Sequence, residues 1–153
     1  MLIYRERLLP GPMIFVITAL VIPASLLVFL PINLTLGVIC AAVLYTGCVV
    51  LLVIGSPRIE VTEAKLVAGR ASLPLPNIGD AEGFTGAEAT QQRGPKLDAR
   101  AWLVIRGWIS PVVKVGVNDA NDPTPYWLVS TRHPAALIEA LAKAKSPVNN
   151  FNN

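Results

Sequence analysis

Between Arg7 and Arg58 the chain carries no charged residue, and most of that stretch is Leu, Ile, Val, Ala and Phe. A soluble domain of this size has no place for about fifty consecutive uncharged, mostly apolar residues, because half-buried elements need polar faces. One membrane crossing takes roughly 20 residues. The stretch is too long for a single span and fits two spans joined by a tight turn.

The spans fall at residues 13–30 and 34–54, separated by Pro31, Ile32 and Asn33. Proline ends the first helix, and Asn33 or Thr35 caps the second. Pro23 predicts a kink in the first span, since it removes a backbone donor and clashes with the preceding turn. Neither span contains Asp, Glu, Lys, Arg or His, the groups on which proton relays and ion pathways depend. Gly37, Cys40 and Ala41 form a small-residue face that packs within the hairpin or on a partner. Cys40 and Cys48 lie about 12 Å apart by helical rise, too far for a disulfide, and read as packing residues. A cleaved signal peptide is disfavoured, because no small-x-small exit site precedes Pro31 and a second apolar run follows at once. Arg5 and Arg7 precede the spans and Arg58, Lys65 and Arg70 follow them, while the turn has no basic residue. Basic flanks stay inside, so both termini are expected in the cytoplasm, with the chain multi-pass in the inner (plasma) membrane.

Charged residues make up 15% of the 153 positions, against about 25% in soluble domains. The net charge of +3 is spread along the chain. It supports contact with anionic lipid head groups weakly and nucleic acid hardly at all. The expected organisation is an N-terminal cytoplasmic segment at 1–12, a transmembrane hairpin at 13–55, a cytoplasmic β-rich domain at 56–145 and a disordered tail at 146–153.

After Ser56-Pro57 the pattern changes to period-two alternation. Arg58 to Thr62 reads as a half-buried strand, followed by Leu66-Val67 and an extended, proline-bearing edge segment at 71–76. Residues 83–95 read as a loop or frayed hairpin. The strongest strands are expected at 99–105, 112–117 and 126–131, with a turn cluster at 118–123. Pro134 starts a helix through Lys145 with Leu137, Ile138 and Leu141 as its apolar stripe. The fold class is therefore membrane α+β: a two-helix hairpin, then a small antiparallel sheet or partly open barrel capped by a C-terminal helix. This element order is like that of a pleckstrin-homology-type (PH-like) domain.

Several stretches resemble one group of proteins. They are Glu6-Arg7-Leu8, Ser56 to Val61, Leu66 to Gly69, Asp98 to Ala101 and, most specifically, Asp122 to Arg132. Together they resemble domain-of-unknown-function family 3093, small two-span actinobacterial membrane proteins. The resemblance implies location and architecture, and brings no activity or catalytic residues with it.

Two constellations carry chemistry. Tyr126 and Trp127 with Arg132 could present an aromatic and a guanidinium to an anionic partner. Alternatively, Trp127 lies in the core and Arg132 pairs with an acid such as Asp98. Arg100 and Arg106, six apart, would share a strand face and with Arg132 could bind phosphate, carboxylate or lipid head groups. The alternative is ion pairing with Glu60, Asp80 or Asp98. Trp102 is expected in the core and Trp108 at the lipid interface. His133 beside Pro134 reads as a capping-region residue. No nucleophile elbow, phosphate loop or metal-ligand spacing is present, so no cofactor or metal is expected. The expected role is a membrane-tethered binding or scaffold module contacting the bilayer and a membrane-protein partner or second copy. The alternative is an enzyme or accessory subunit of an envelope or lipid-linked pathway at the cytoplasmic face.

Overall fold

The computed structural model describes residues 1–146; the expected tail falls almost wholly outside them. The chain divides into two compact units. One is Leu9–Ser56, and the other joins Met1–Leu8 to the chain from Pro57 onward.

The Leu9–Ser56 unit is a helical hairpin of α1 (Pro12–Thr18), α2 (Val21–Phe29) and α3 (Leu34–Ile54). Pro12 opens α1, where its missing N–H is not needed. The first apolar segment breaks at Ala19–Leu20, one turn ahead of Pro23. The Ala19 carbonyl, which Pro23 cannot serve, accepts instead from Ile22 N–H at 3.0 Å. The expected kink is thus a break between two short helices. Asn33 Oδ1 caps α3, accepting from Thr35 N–H at 2.9 Å and Leu36 N–H at 3.2 Å. At Gly37 α3 comes close to α2: a Cβ there would stand 3.0 Å from Phe29 Cβ. Gly37 and Ala41 are buried, so this part of the small-residue face packs inside the hairpin. Two helical stretches, Pro12–Phe29 and Leu34–Ile54, are long and apolar enough to cross a membrane.

The other unit contains two four-stranded sheets. The first runs β1 (Leu2–Arg7), β2 (Arg58–Thr62), β3 (Lys65–Ala68), β4 (Ala71–Pro74), antiparallel throughout. The second has β5 (Ile78–Phe84), β7 (Val112–Val117), β8 (Tyr126–Ser130) and β6 (Trp102–Val104) in that spatial order. Its β6–β8 pair is parallel, a departure from the expected all-antiparallel sheet. Among the described residues, the sheets do not close into a barrel.

Side chains of both sheets and α5 (Pro134–Lys145) share one core, including Ile59, Val61, Leu66, Val113, Val115, Trp127, Val129, Leu137 and Leu141. A second cluster, Ala89, Val112, Tyr126 and Leu128, lies on the opposite face of the second sheet, with Phe84, Leu97, Ala101 and Ile105 against it. Every residue of β8 is therefore buried, as in a central strand covered on both faces.

Four expectations change. Residues 2–7, taken as a flanking segment, are an edge strand paired with β2. Residues 86–93 form helix α4 (Gly86–Arg93), whose small buried side, Ala89 and Gln92, gives little apolar periodicity. The 99–105 strand shrinks to Trp102–Val104, because Asp98–Ala101 turns: Ala101 N–H donates to Asp98 O at 3.0 Å. Trp102 is 39% exposed on this edge, its ring 6.2 Å from that of Trp127.

Candidate functional site

The residues singled out from sequence do not gather on one surface. Tyr126 and Trp127 belong to opposite faces of β8, one in each buried cluster. The Tyr126 hydroxyl accepts from Asp98 N–H at 2.8 Å and reaches Lys96 O at 3.5 Å, tying the 96–98 segment to the sheet. Arg100 folds back on Asp98, with Nε to Oδ1 at 3.2 Å and Nη2 to Oδ2 at 3.0 Å. The hydrogen bonds from this guanidinium hold the Asp98 carboxyl below the usual carboxylate range, and the carboxylate in turn raises the Arg100 pKa. Arg106 donates its backbone N–H to Ser130 Oγ at 3.0 Å and its Nη1 to Ile105 O at 2.9 Å. Arg132 pairs with Glu6 at 4.0 Å, not with Asp98. His133 is the residue preceding α5, and its backbone N–H donates to Thr131 Oγ1 at 3.1 Å.

Two arrangements escaped the sequence reading. The first is a cleft of about 270 Å³ beside the second sheet, lined by Asp80, Glu82, Lys114, Asn118, Pro125 and Tyr126, with Gly116 and Val117. Asp80 and Glu82 sit two apart on β5, and Glu82 lies directly opposite Lys114 on β7. The Lys114 ammonium stands 4.3 Å from the Tyr126 ring centroid, a cation–π contact. Gly79 lets β5 pass close to β7: a Cβ there would meet the Gly116 carbonyl carbon and oxygen at 3.2 Å. The cleft offers carboxylates, an ammonium and an amide, groups that hold polar ligands. Its phenol oxygen is already turned toward the 96–98 segment. The alternating Asp80-Ala81-Glu82 was the signal available in sequence.

The second is a half-buried polar junction. Glu6 accepts from the Tyr4 hydroxyl at 2.8 Å, from Thr131 Oγ1 at 2.5 Å and from Arg132 N–H at 2.9 Å. Burial pushes the Tyr4 phenol up to about 12; the Thr131 hydrogen bond opposes this and Glu6 adds to it. Among the described residues, no three His, Cys, Asp or Glu side chains group closely enough to hold a metal ion.

A family model described as "Protein of unknown function (DUF3093)" matches residues 3–141. The chain belongs to this family. The match begins within β1 and ends within α5, so the DUF3093 region takes in the hairpin and the two-sheet unit alike. Glu6 and Thr131, which bond to each other, both lie inside it. No curated protein and no solved structure matches the chain.

Proposed function

We propose that this DUF3093 protein is an integral membrane protein of two spans, holding a PH-like binding or scaffold domain at the cytoplasmic face of the plasma membrane. The observation that carries this reading is the pairing of β1 with β2 across the apolar insertion. Leu8 N–H donates to Pro57 O at 3.0 Å, so the chain leaves one sheet for the hairpin and rejoins it on the adjacent strand. A segment entered and left this way returns to the side it started from, as a two-span hairpin must. Leu27, Leu51 and Ile54 on the helices are 73%, 72% and 74% exposed, apolar surface that lipid would cover. The basic flanks and the uncharged turn favour a cytoplasmic domain. Two sheets sharing a core with a C-terminal helix support the PH-like comparison. Binding is favoured over catalysis because Asp98 and Arg100 pair in an exposed turn while Arg132 joins Glu6 elsewhere, so the cluster an enzyme would need is dispersed. Tethering to the membrane strengthens weak contacts by raising local concentration.

Reporter fusions test the topology: a fusion at Asn33 should read outside and one at Asn153 inside. An outside signal at Asn153 overturns the orientation, and release of the chain by carbonate overturns the membrane reading. Gentle-detergent affinity purification should recover a membrane-protein partner or a second copy in stoichiometric amount. Recovery of a lone monomer would sink the scaffold role.

A further inference from the structure

The β1–β2 ribbon carries two cross-strand charge pairs of opposite character. Arg5 faces Glu60 and forms an ion pair with it at 3.2 Å. Two residues nearer the hairpin, Arg7 faces Arg58, and both are exposed. The ladder bond from Leu8 N–H to Pro57 O makes Arg7–Arg58 a non-hydrogen-bonded rung. Opposed Cα atoms come within about 4.5 Å on such rungs, and like charges there repel. The carboxylates of these two strands are engaged elsewhere: Glu60 with Arg5, and Glu6 with Tyr4, Thr131 and Arg132. Arg7 has a further contact of its own, and its charge has the same sign as that of Arg58 opposite.

Further groups converge on this end of the sheet. Gly69 N–H donates to Arg58 O at 2.9 Å, which brings in the β3–β4 turn with its exposed Arg70. Trp108 Nε1 donates to the Leu8 carbonyl at 3.3 Å, adding the aromatic type enriched at membrane interfaces.

We infer that Arg7 and Arg58, with Arg70, form a recognition site for the phosphate of an anionic phospholipid head group. This rests on the membrane reading above. Arg7 stands five residues before α1 and Arg58 four after α3, so both lie within a few residues of where spans formed by those helices would leave the bilayer. Guanidinium forks match phosphate oxygens, and an anion between opposed arginines converts a repulsive rung into a bridged one. Lipid is favoured over a soluble phosphate because the adjoining spans keep lipid head groups permanently beside the site.

The test is thermal unfolding of the full-length protein in mild detergent, with soluble short-chain phosphatidylglycerol, short-chain phosphatidylcholine or inorganic phosphate added. Phosphatidylglycerol should raise the midpoint most. The double variant Arg7→Gln/Arg58→Gln should need about 30-fold more of it for the same shift, and Lys65→Gln, at the far end of the sheet, should behave as wild type. An equal response to phosphatidylcholine, or wild-type affinity in the double variant, overturns the site. An equal response to inorganic phosphate overturns the lipid assignment. Carbonate extraction separates this inference from the reading it rests on. A released chain removes both, whereas a retained chain indifferent to phosphatidylglycerol removes the site alone.

Discussion

Glu6 Oε2 accepts a hydrogen bond from the Thr131 hydroxyl at 2.5 Å across 125 positions of sequence. It fastens the strand that precedes the hairpin to the corner between β8 and α5. The Glu6 side chain is only 9% exposed, so removing it strands several donors where water has little access. Glu6→Ala should cost about 2–3 kcal/mol and Glu6→Gln about 1–2 kcal/mol. Denaturant titration in detergent reads this directly; a Glu6→Ala protein as stable as wild type would make the junction incidental.

Tyr4 gives the same junction a pH signature. Its phenol is pushed up to about 12 from 10.0, so the folded state keeps a proton that the unfolded state gives up first. The resulting stabilisation is fully present below pH 10 and disappears as pH rises through about 12. Between those values wild type should lose stability more steeply than Tyr4→Phe, which has no phenol to titrate. Parallel slopes for the two proteins would count against the shift.

Gly79→Ala should destabilise by about 1–3 kcal/mol, because the new methyl meets backbone as well as a side-chain oxygen. The opposing atoms are the Gly116 carbonyl group at 3.2 Å and Asn118 Oδ1 at 3.1 Å. Gly69→Ala should cost about 1 kcal/mol for a different reason. Gly69 has φ +65 at the β3–β4 turn, a conformation side chains disfavour. Midpoint shifts for the two variants separate crowding from backbone strain, and unchanged midpoints would refute either assignment.

Because Leu8 and Pro57 already share a ladder bond, residues 9–56 should be replaceable by a short loop of Gly, Asn and Ser, which needs no donor from the Pro57 nitrogen. That chain should be monomeric and unfold cooperatively. A chain starting at Pro57 should aggregate, having lost β1 and its buried carboxylate. Size-exclusion chromatography distinguishes the outcomes, and equal behaviour of the two chains would deny β1 a structural role.

The hairpin was legible because the absence of charge over so long a stretch has few competing explanations, and Asn33 and Pro134 mark helix starts by local chemistry. Strand β1 was not, because Leu2 to Arg7 pairs with a strand beyond an insertion and no turn signal links them. Arg132 failed for the same reason: its acid lies on that distant strand, whereas Asp98 and Arg100, two apart, pair locally. The sequence reading left Tyr126 on a surface open to an anionic partner, yet α4 and the 97–105 segment cover the side that carries Tyr126 and Leu128. That covering is tertiary, and its trace in the strand itself is the uninterrupted apolar run Tyr126–Val129. The polar helix α4 shows the complementary failure, where Gly, Thr and Gln suggested a loop.

The order in which the first sheet is assembled follows from its split sequence. Strand β1 is synthesised first, yet its partner β2 emerges only after both apolar helices have been made. Until then β1 is an unpaired edge. If the helices enter a bilayer, an odd number of crossings would leave β1 and β2 on opposite sides, with Glu6 unable to reach Thr131. In a bilayer the finished sheet would thus act as a checkpoint: a misinserted chain would expose a loose strand to proteases, and a correctly inserted one would hide it.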